Sequence, residues 1–185
     1  TVISSSAFSG CEALKSFDFS NITEIQDGAF MYSGLEEINL TDKLTVLDES
    51  SFQYCTSLTS VRIPGSVKTV GCLSFSGCSN LVSVIIEEGV VTLDSWAFSS
   101  CGNLESVTLP STLETIMDYV FDRAGKLEPV TLPAGLKNLH YTSFDKNISL
   151  KEINVDENNP YFSSIDGNLY SKDGTVLIKY SYPKD

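Results

Sequence analysis

At 185 residues, 42% of them hydrophobic, the chain has room for one sizeable core. Twenty-four acidic against 12 basic side chains give a net charge of −12 with no Lys/Arg cluster, which argues against nucleic acid and anionic membrane surfaces as partners. No apolar run approaches the roughly 18–20 residues of a membrane helix, so direct membrane insertion is not expected.

Thr1-Val2-Ile3 already reads as the middle of a repeating unit, without the basic, apolar and small-residue order of a signal peptide. The chain is therefore expected to be an excerpt of a longer parent. A phenylalanine then returns every 22 or 23 residues, at Phe8, Phe30, Phe52, Phe75, Phe98, Phe121 and Phe144. A Leu follows six residues later in six of the seven copies (Leu14, Leu58, Leu81, Leu104, Leu127, Leu150), and Leu35 comes one residue early. Such self-similarity marks a solenoid, in which each unit buries its apolar face only by stacking on its neighbours.

One unit, Phe75 to Ala97, shows the parts. Leu81 to Ile86 alternates, with Val84 and Ile86 on one side and Ser83 and Ile85 on the other, the pattern of a half-buried strand. Its equivalents are Phe17/Phe19, Ile38/Leu40, Val61/Ile63, Val107/Leu109, Val130/Leu132 and Ile153/Val155. Pro64, Pro110 and Pro133 end three of these strands, because proline has no N–H to donate. A second inward pair follows, Val90 and Leu93 here. The Ser-rich stretch around Phe98 is too short for a stable helix and is expected to form a single helical or 3₁₀ turn. Stacked copies should line their first strands into one parallel sheet along one face.

Cys11, Cys55, Cys78 and Cys101 each lie three residues after the repeat Phe, in a column that elsewhere holds Ser33, Ala124 and Asn147. That is a slot for a small buried side chain, and all five cysteines are expected to be free thiols. No histidine accompanies them, so no zinc spacing arises.

The consensus seen whole in Phe52-Cys55-Leu58-Val61-Ile63-Pro64-Val67-Val70 resembles the leucine-rich repeats of the BspA-like bacterial surface proteins. The resemblance covers about Val2 to Val155. It implies a right-handed leucine-rich repeat solenoid, mainly β, over residues 1–157 in about six to seven repeats. From residue 158 the period breaks. Asp166-Gly167 and Asp173-Gly174 sit between short apolar runs, a hairpin signal. Residues 158–185 are expected to form a small β meander that caps the solenoid or leads into a continuation.

Little of the sequence carries chemistry. His140, the single histidine, shares its column with Gln26, Asp48, Gly71, Asp94 and Met117, which marks a solvated turn and not a catalytic base. Asp166 to Ser171 begins like a calcium loop but lacks the sixth-position glycine and has Leu177 in place of the twelfth-position glutamate. No catalytic residue, metal site or cofactor is expected. Sequons occur at Asn21, Asn39 and Asn147.

Two surfaces are candidates for a partner. The outward rows of the first strands include Ser60, Arg62, Ser83, Ile85, Ser106, Thr108 and Thr131, a platform of small polar groups. Two residues before each Phe, Leu73, Trp96 and Tyr119 fall on consecutive coils, either as a self-packing ladder or as an exposed patch. The resemblance implies a non-enzymatic recognition or adhesion module of a secreted or surface-anchored bacterial protein. Its ligand would be protein or glycan, host extracellular matrix included, and it is expected to act as a monomer. The alternative is a structural spacer in a larger cell-surface protein.

Overall fold

A computed structural model describes residues 1–181; the last four residues of the expected C-terminal segment lie outside the described residues. Fifteen short strands follow one another: β1 (Val2–Ile3), β2 (Glu24–Ile25), β3 (Val46–Leu47), β4 (Ser60–Ile63), β5 (Thr69–Val70), β6 (Ser83–Ile86), β7 (Thr92–Leu93), β8 (Ser106–Thr108), β9 (Thr115–Ile116), β10 (Val130–Leu132), β11 (Asn138–Leu139), β12 (Ile153–Val155), β13 (Phe162–Ile165), β14 (Asn168–Ser171) and β15 (Leu177–Lys179). The chain coils as the repeat predicts, and no helix is present among the described residues.

Seven phenylalanine rings run along the axis of the stack. Phe8 to Phe144 are spaced 5.0–5.8 Å between centroids and tilted by no more than 16° from one coil to the next. Phe30, Phe52, Phe75, Phe98 and Phe121 are completely buried, as are the Leu residues that follow them at positions 35, 58, 81 and 104. Full burial of one such side chain contributes about 1.5–3 kcal/mol.

The segment around each Phe is a run of linked β-turns and not the expected helical turn. Around Phe75, Ser74 N–H donates to the Gly71 carbonyl, Ser76 to Leu73 and Cys78 to Phe75. Each turn satisfies its own first carbonyl and fourth N–H, and leaves its central peptide unpaired. The next coil supplies the partner: Leu73, Phe75 and Gly77 N–H donate to the Ser95, Ala97 and Ser99 carbonyls at 3.0, 2.8 and 2.8 Å. The first and third turns need positive φ at their third residue, the type II pattern, and Leu73 (57°) and Gly77 (73°) provide it. The same two positions are left-handed on nearly every coil, at non-glycine residues as bulky as Trp96, Tyr119, Tyr32 and Tyr54.

The first-strand ladder is interrupted where one continuous sheet was expected. β4, β6 and β8 pair in parallel with Ser60, Ser83 and Ser106 in register, while β10 pairs only with β12. Pro129 stands at the break, in the row of Ser106, whose N–H reaches back to the Val82 carbonyl. Without an N–H, Pro129 cannot repeat that bond. The corresponding segments of the first two coils form no strand. Each of those coils is one residue short, just before Leu35 and between Phe19 and Ile22. The uninterrupted sheet is instead made by the second inward pair, in the order β1-β2-β3-β5-β7-β9-β11.

The antiparallel sheet β13-β14-β15 follows the last coil. Asp166 and Gly167, at φ 51° and 78°, form the two-residue turn that Asp-Gly predicts. Asn159 is fully buried and ties the tail to the solenoid: its amide donates to the Pro133 and Leu136 carbonyls, and its oxygen accepts from Tyr161 and Phe162 N–H. Lys179 of β15 reaches Asp145 of the last coil at 2.5 Å.

All five cysteines are free. Cys55, Cys78 and Cys101 are buried, each thiol lying 3.1–3.3 Å from the carbonyl of the preceding coil's Phe. Asn147 fills the same role with its amide, which donates to the Phe121 carbonyl at 2.8 Å. It is buried, which leaves Asn21 and Asn39 as the exposed sequons. Two cysteines depart from the buried expectation: Cys11, on the first coil, is exposed, and Cys72, outside the column, is half-buried. Burial pushes the Cys101 thiol up to about 12 and holds Cys55 and Cys78 above the ordinary thiol range. Native protein at pH 8 should accordingly be alkylated first at Cys11, with Cys55, Cys78 and Cys101 modified only on unfolding, and denatured protein should take up five adducts without reductant. Peptide mass mapping checks this, and a mass for any paired sulfurs would contradict it.

Candidate recognition surface

β4, β6 and β8 bring six of the sequence-predicted residues onto one face. Ser60, Ser83 and Ser106 form one row, and Arg62, Ile85 and Thr108 the next, all in register. Inward Val61, Val84, Ile63 and Ile86 are buried, so the alternation fixes which side chains face solvent. Ile85 is 48% exposed at the centre of the face. Ser83 is half-buried, and Arg62 forms an ion pair with Glu87. Thr131 is separated from this group by the break at Pro129 and pairs instead with Asn154.

Leu73, Trp96 and Tyr119 lie half a coil away and behave differently. The Trp96 and Tyr119 rings stack at 5.5 Å and 13° along the solenoid axis. Trp96 is 39% exposed, and Tyr119 and Leu73 are half-buried. A stacked column of this kind covers the turn ladder and offers few free ring faces to a ligand. The sequence gives no sign that these residues also hold left-handed backbone, because nothing marks them as glycine substitutes.

The polar groups nearby are engaged in the fold. His140 Nδ1 lies 3.0 Å from Asp118 and 2.8 Å from Thr142 Oγ1. The same hydroxyl accepts from Tyr119 N–H, where other coils supply a carbonyl. Cys72 faces a cleft with Asp94 and Glu49, and burial together with those carboxylates raises its thiol, the opposite of what a nucleophile requires. Among the described residues, no three His, Cys, Asp or Glu side chains gather to hold a metal.

At one end of the face, the Glu88 carboxylate accepts from Ser111 N–H (2.8 Å), Ser111 Oγ (2.9 Å) and Thr112 N–H (3.2 Å). These bonds hold its pKa below the ordinary value. Gly65 packs beneath it, where a Cβ would meet the Glu88 carbonyl at 1.8 Å.

A solenoid of stacked coils whose Phe, Leu and inward strand residues repeat in register is a leucine-rich repeat protein. The sequence matches the BspA type leucine rich repeat region in six copies, over residues 1–88 and 49–173, and the chain belongs to this family. It is similar to a solved leucine-rich cell surface protein from Faecalibacterium prausnitzii (26% identity, TM-score 0.64, covering 86% of this chain and 50% of that one). A leucine-rich repeat protein from Bacteroides ovatus is 25% identical, with TM-score 0.68, covering 84% and 46%. The leucine-rich repeat protein of T. pallidum is 26% identical, with TM-score 0.57, covering 71% and 57%. The chain thus spans about half the length of these relatives. No curated protein sequence matches it significantly.

The lowered pKa of Glu88 has a defined sign. Its bonds stabilise the fold above the ordinary carboxylate pKa, and that contribution is lost as pH falls through the lowered one. Glu88→Gln should therefore be less stable than wild type near neutrality, with the gap closing below about pH 4. Urea titrations across pH check this, and a gap that widens in acid would contradict it.

Proposed function

We propose that the chain is a non-enzymatic recognition module of a secreted or surface-anchored bacterial protein. It binds host or microbial macromolecules, protein or glycan, host extracellular matrix included, through its repeat surface, as a monomer and without a cofactor. The observation that carries this reading is the β4-β6-β8 face: an in-register platform with an isoleucine half-exposed at its centre, among hydroxyls and a guanidinium. An apolar centre with a polar rim is the anatomy of a protein-docking patch. Family membership and the cell-surface designation of the F. prausnitzii relative support a place outside the cell. Among the described residues no helix is long and apolar enough to cross a membrane. The stacked Trp96–Tyr119 column favours a structural role for that ridge and keeps the spacer as the second reading.

Binding of the purified domain to an array of matrix proteins, mucins and glycans at physiological salt tests the proposal. Saturable binding to one ligand class is expected. Ile85→Glu should weaken it at least about tenfold, while Trp96→Glu, if folded, should change it less. Silence across the array would overturn the recognition reading in favour of the spacer.

A further inference from the structure

Tyr32 and Tyr54 stand where the backbone does not call for tyrosine. Each follows its Phe by two residues and holds a positive φ, 58° and 56°. Gly10, Gly77, Ser100, Arg123 and Lys146 make the same turn on other coils. A bulky residue in this region is strained, and nothing in the turn needs a ring. The two rings stack at 4.8 Å and 9°, yet remain 49% and 40% exposed. Tyr54 is held on its far side by Gly77, where a Cβ would come within 2.3 Å of the ring. Tyr32 has a ring partner on one face, Tyr54. Towards the first coil its column holds Gly10, which has no side chain to stack on the ring.

A cleft of about 340 Å³ opens beside this pair, lined also by Glu12, Lys15, Thr56 and Ser57. Lys15 is offset by Glu36 at 3.6 Å. The Glu12 carboxylate, both phenol hydroxyls and the Thr56 and Ser57 hydroxyls have no hydrogen-bond partner among the described residues. The cleft therefore presents an open aromatic face, a set of unpaired neutral donors and acceptors, and one uncompensated carboxylate.

We propose that this cleft is a saccharide site that takes a neutral pyranose ring. The sugar's C–H face would lie on the open side of Tyr32, whose ring face is electron-rich. Its hydroxyls would donate to the Glu12 carboxylate and exchange bonds with the Thr56 and Ser57 hydroxyls, which both donate and accept. Lys15, the cation on the cleft, already pairs with Glu36 and sits beside the Glu12 carboxylate, which disfavours an anion, and a basic peptide finds only one unpaired carboxylate. The volume sits at the low end of the roughly 300–1,000 Å³ typical of small-ligand pockets. The clamp of Tyr54 on Gly77 fixes the platform before binding, which reduces the ordering cost.

This deepens the recognition reading and rests on it. The test uses methyl β-glucoside, methyl β-galactoside and N-acetylglucosamine with wild type, Tyr32→Ser and Tyr54→Ser, followed by saturation-transfer NMR and calorimetry. Serine is compatible with the turn, since Ser100 holds the same φ of 58°, and thermal melts confirm folding. At least one sugar should bind saturably in the millimolar range, weakened about tenfold or more by either variant. No binding at tens of millimolar, or binding that Tyr32→Ser leaves unchanged, would overturn the site, as would binding of pentalysine but not sugar. Macromolecule capture on the array without sugar binding would sink this site and leave the recognition reading intact; tyrosine-dependent sugar binding with a silent array would do the reverse.

Discussion

A β-turn pairs its first carbonyl with its fourth N–H and leaves its central peptide with no partner. This chain places linked turns around its repeat phenylalanines, three in succession at Phe8, Phe30 and Phe75, so the central peptides of the inner coils depend on the next coil for their hydrogen bonds. A buried peptide left unpaired is costly, and stacking one coil on the next supplies the partners. The phenylalanine column sets the spacing at which this pairing works, because stacked rings and stacked peptides share one axial rise. The carbonyls of Phe30, Phe52, Phe75 and Phe121 each accept a second bond from the next coil's Cys thiol or Asn147 amide, which favours a donor at those positions of the column.

Much of this was legible in the residues. The 22- and 23-residue return of Phe, the alternation in Val61–Ile63 and Val84–Ile86, and the Asp166-Gly167 hairpin each correspond to an observed element, because each rests on side-chain burial or on one local turn. The linked turns were not legible. Leu73, Trp96 and Tyr119 hold left-handed backbone without being glycine, since inter-coil hydrogen bonds outweigh their intrinsic preference. The break at Pro129 follows from a missing donor, but its effect appears only once Ser106 is seen to need its N–H. Asn159 lies past the break in the period, where no repeat marks it, and is a buried anchor whose four hydrogen bonds join tail to coil.

The architecture also explains where specificity can reside. Core columns are constrained by stacking, and neighbouring coils repeat them. Positions that only shape a turn or face outward are free to vary, and there the chain departs from repetition: Ile85 among Ser and Thr, and Tyr32 and Tyr54 where other coils carry Gly, Ser, Arg or Lys. Departures of this kind cost something, in exposed apolar surface or in backbone strain, and give each surface a distinct chemistry.

The central claim is that the phenylalanine stack holds the coils in the register their peptides require. Urea denaturation of Phe75→Ala beside Phe8→Ala tests it most directly. Phe75 is fully buried between two rings and Phe8, at the first coil, only partly so. The account predicts a loss of about 3–5 kcal/mol for Phe75→Ala and a clearly smaller loss for Phe8→Ala. Equal losses at the two positions, or a loss below about 1 kcal/mol at Phe75, would contradict it.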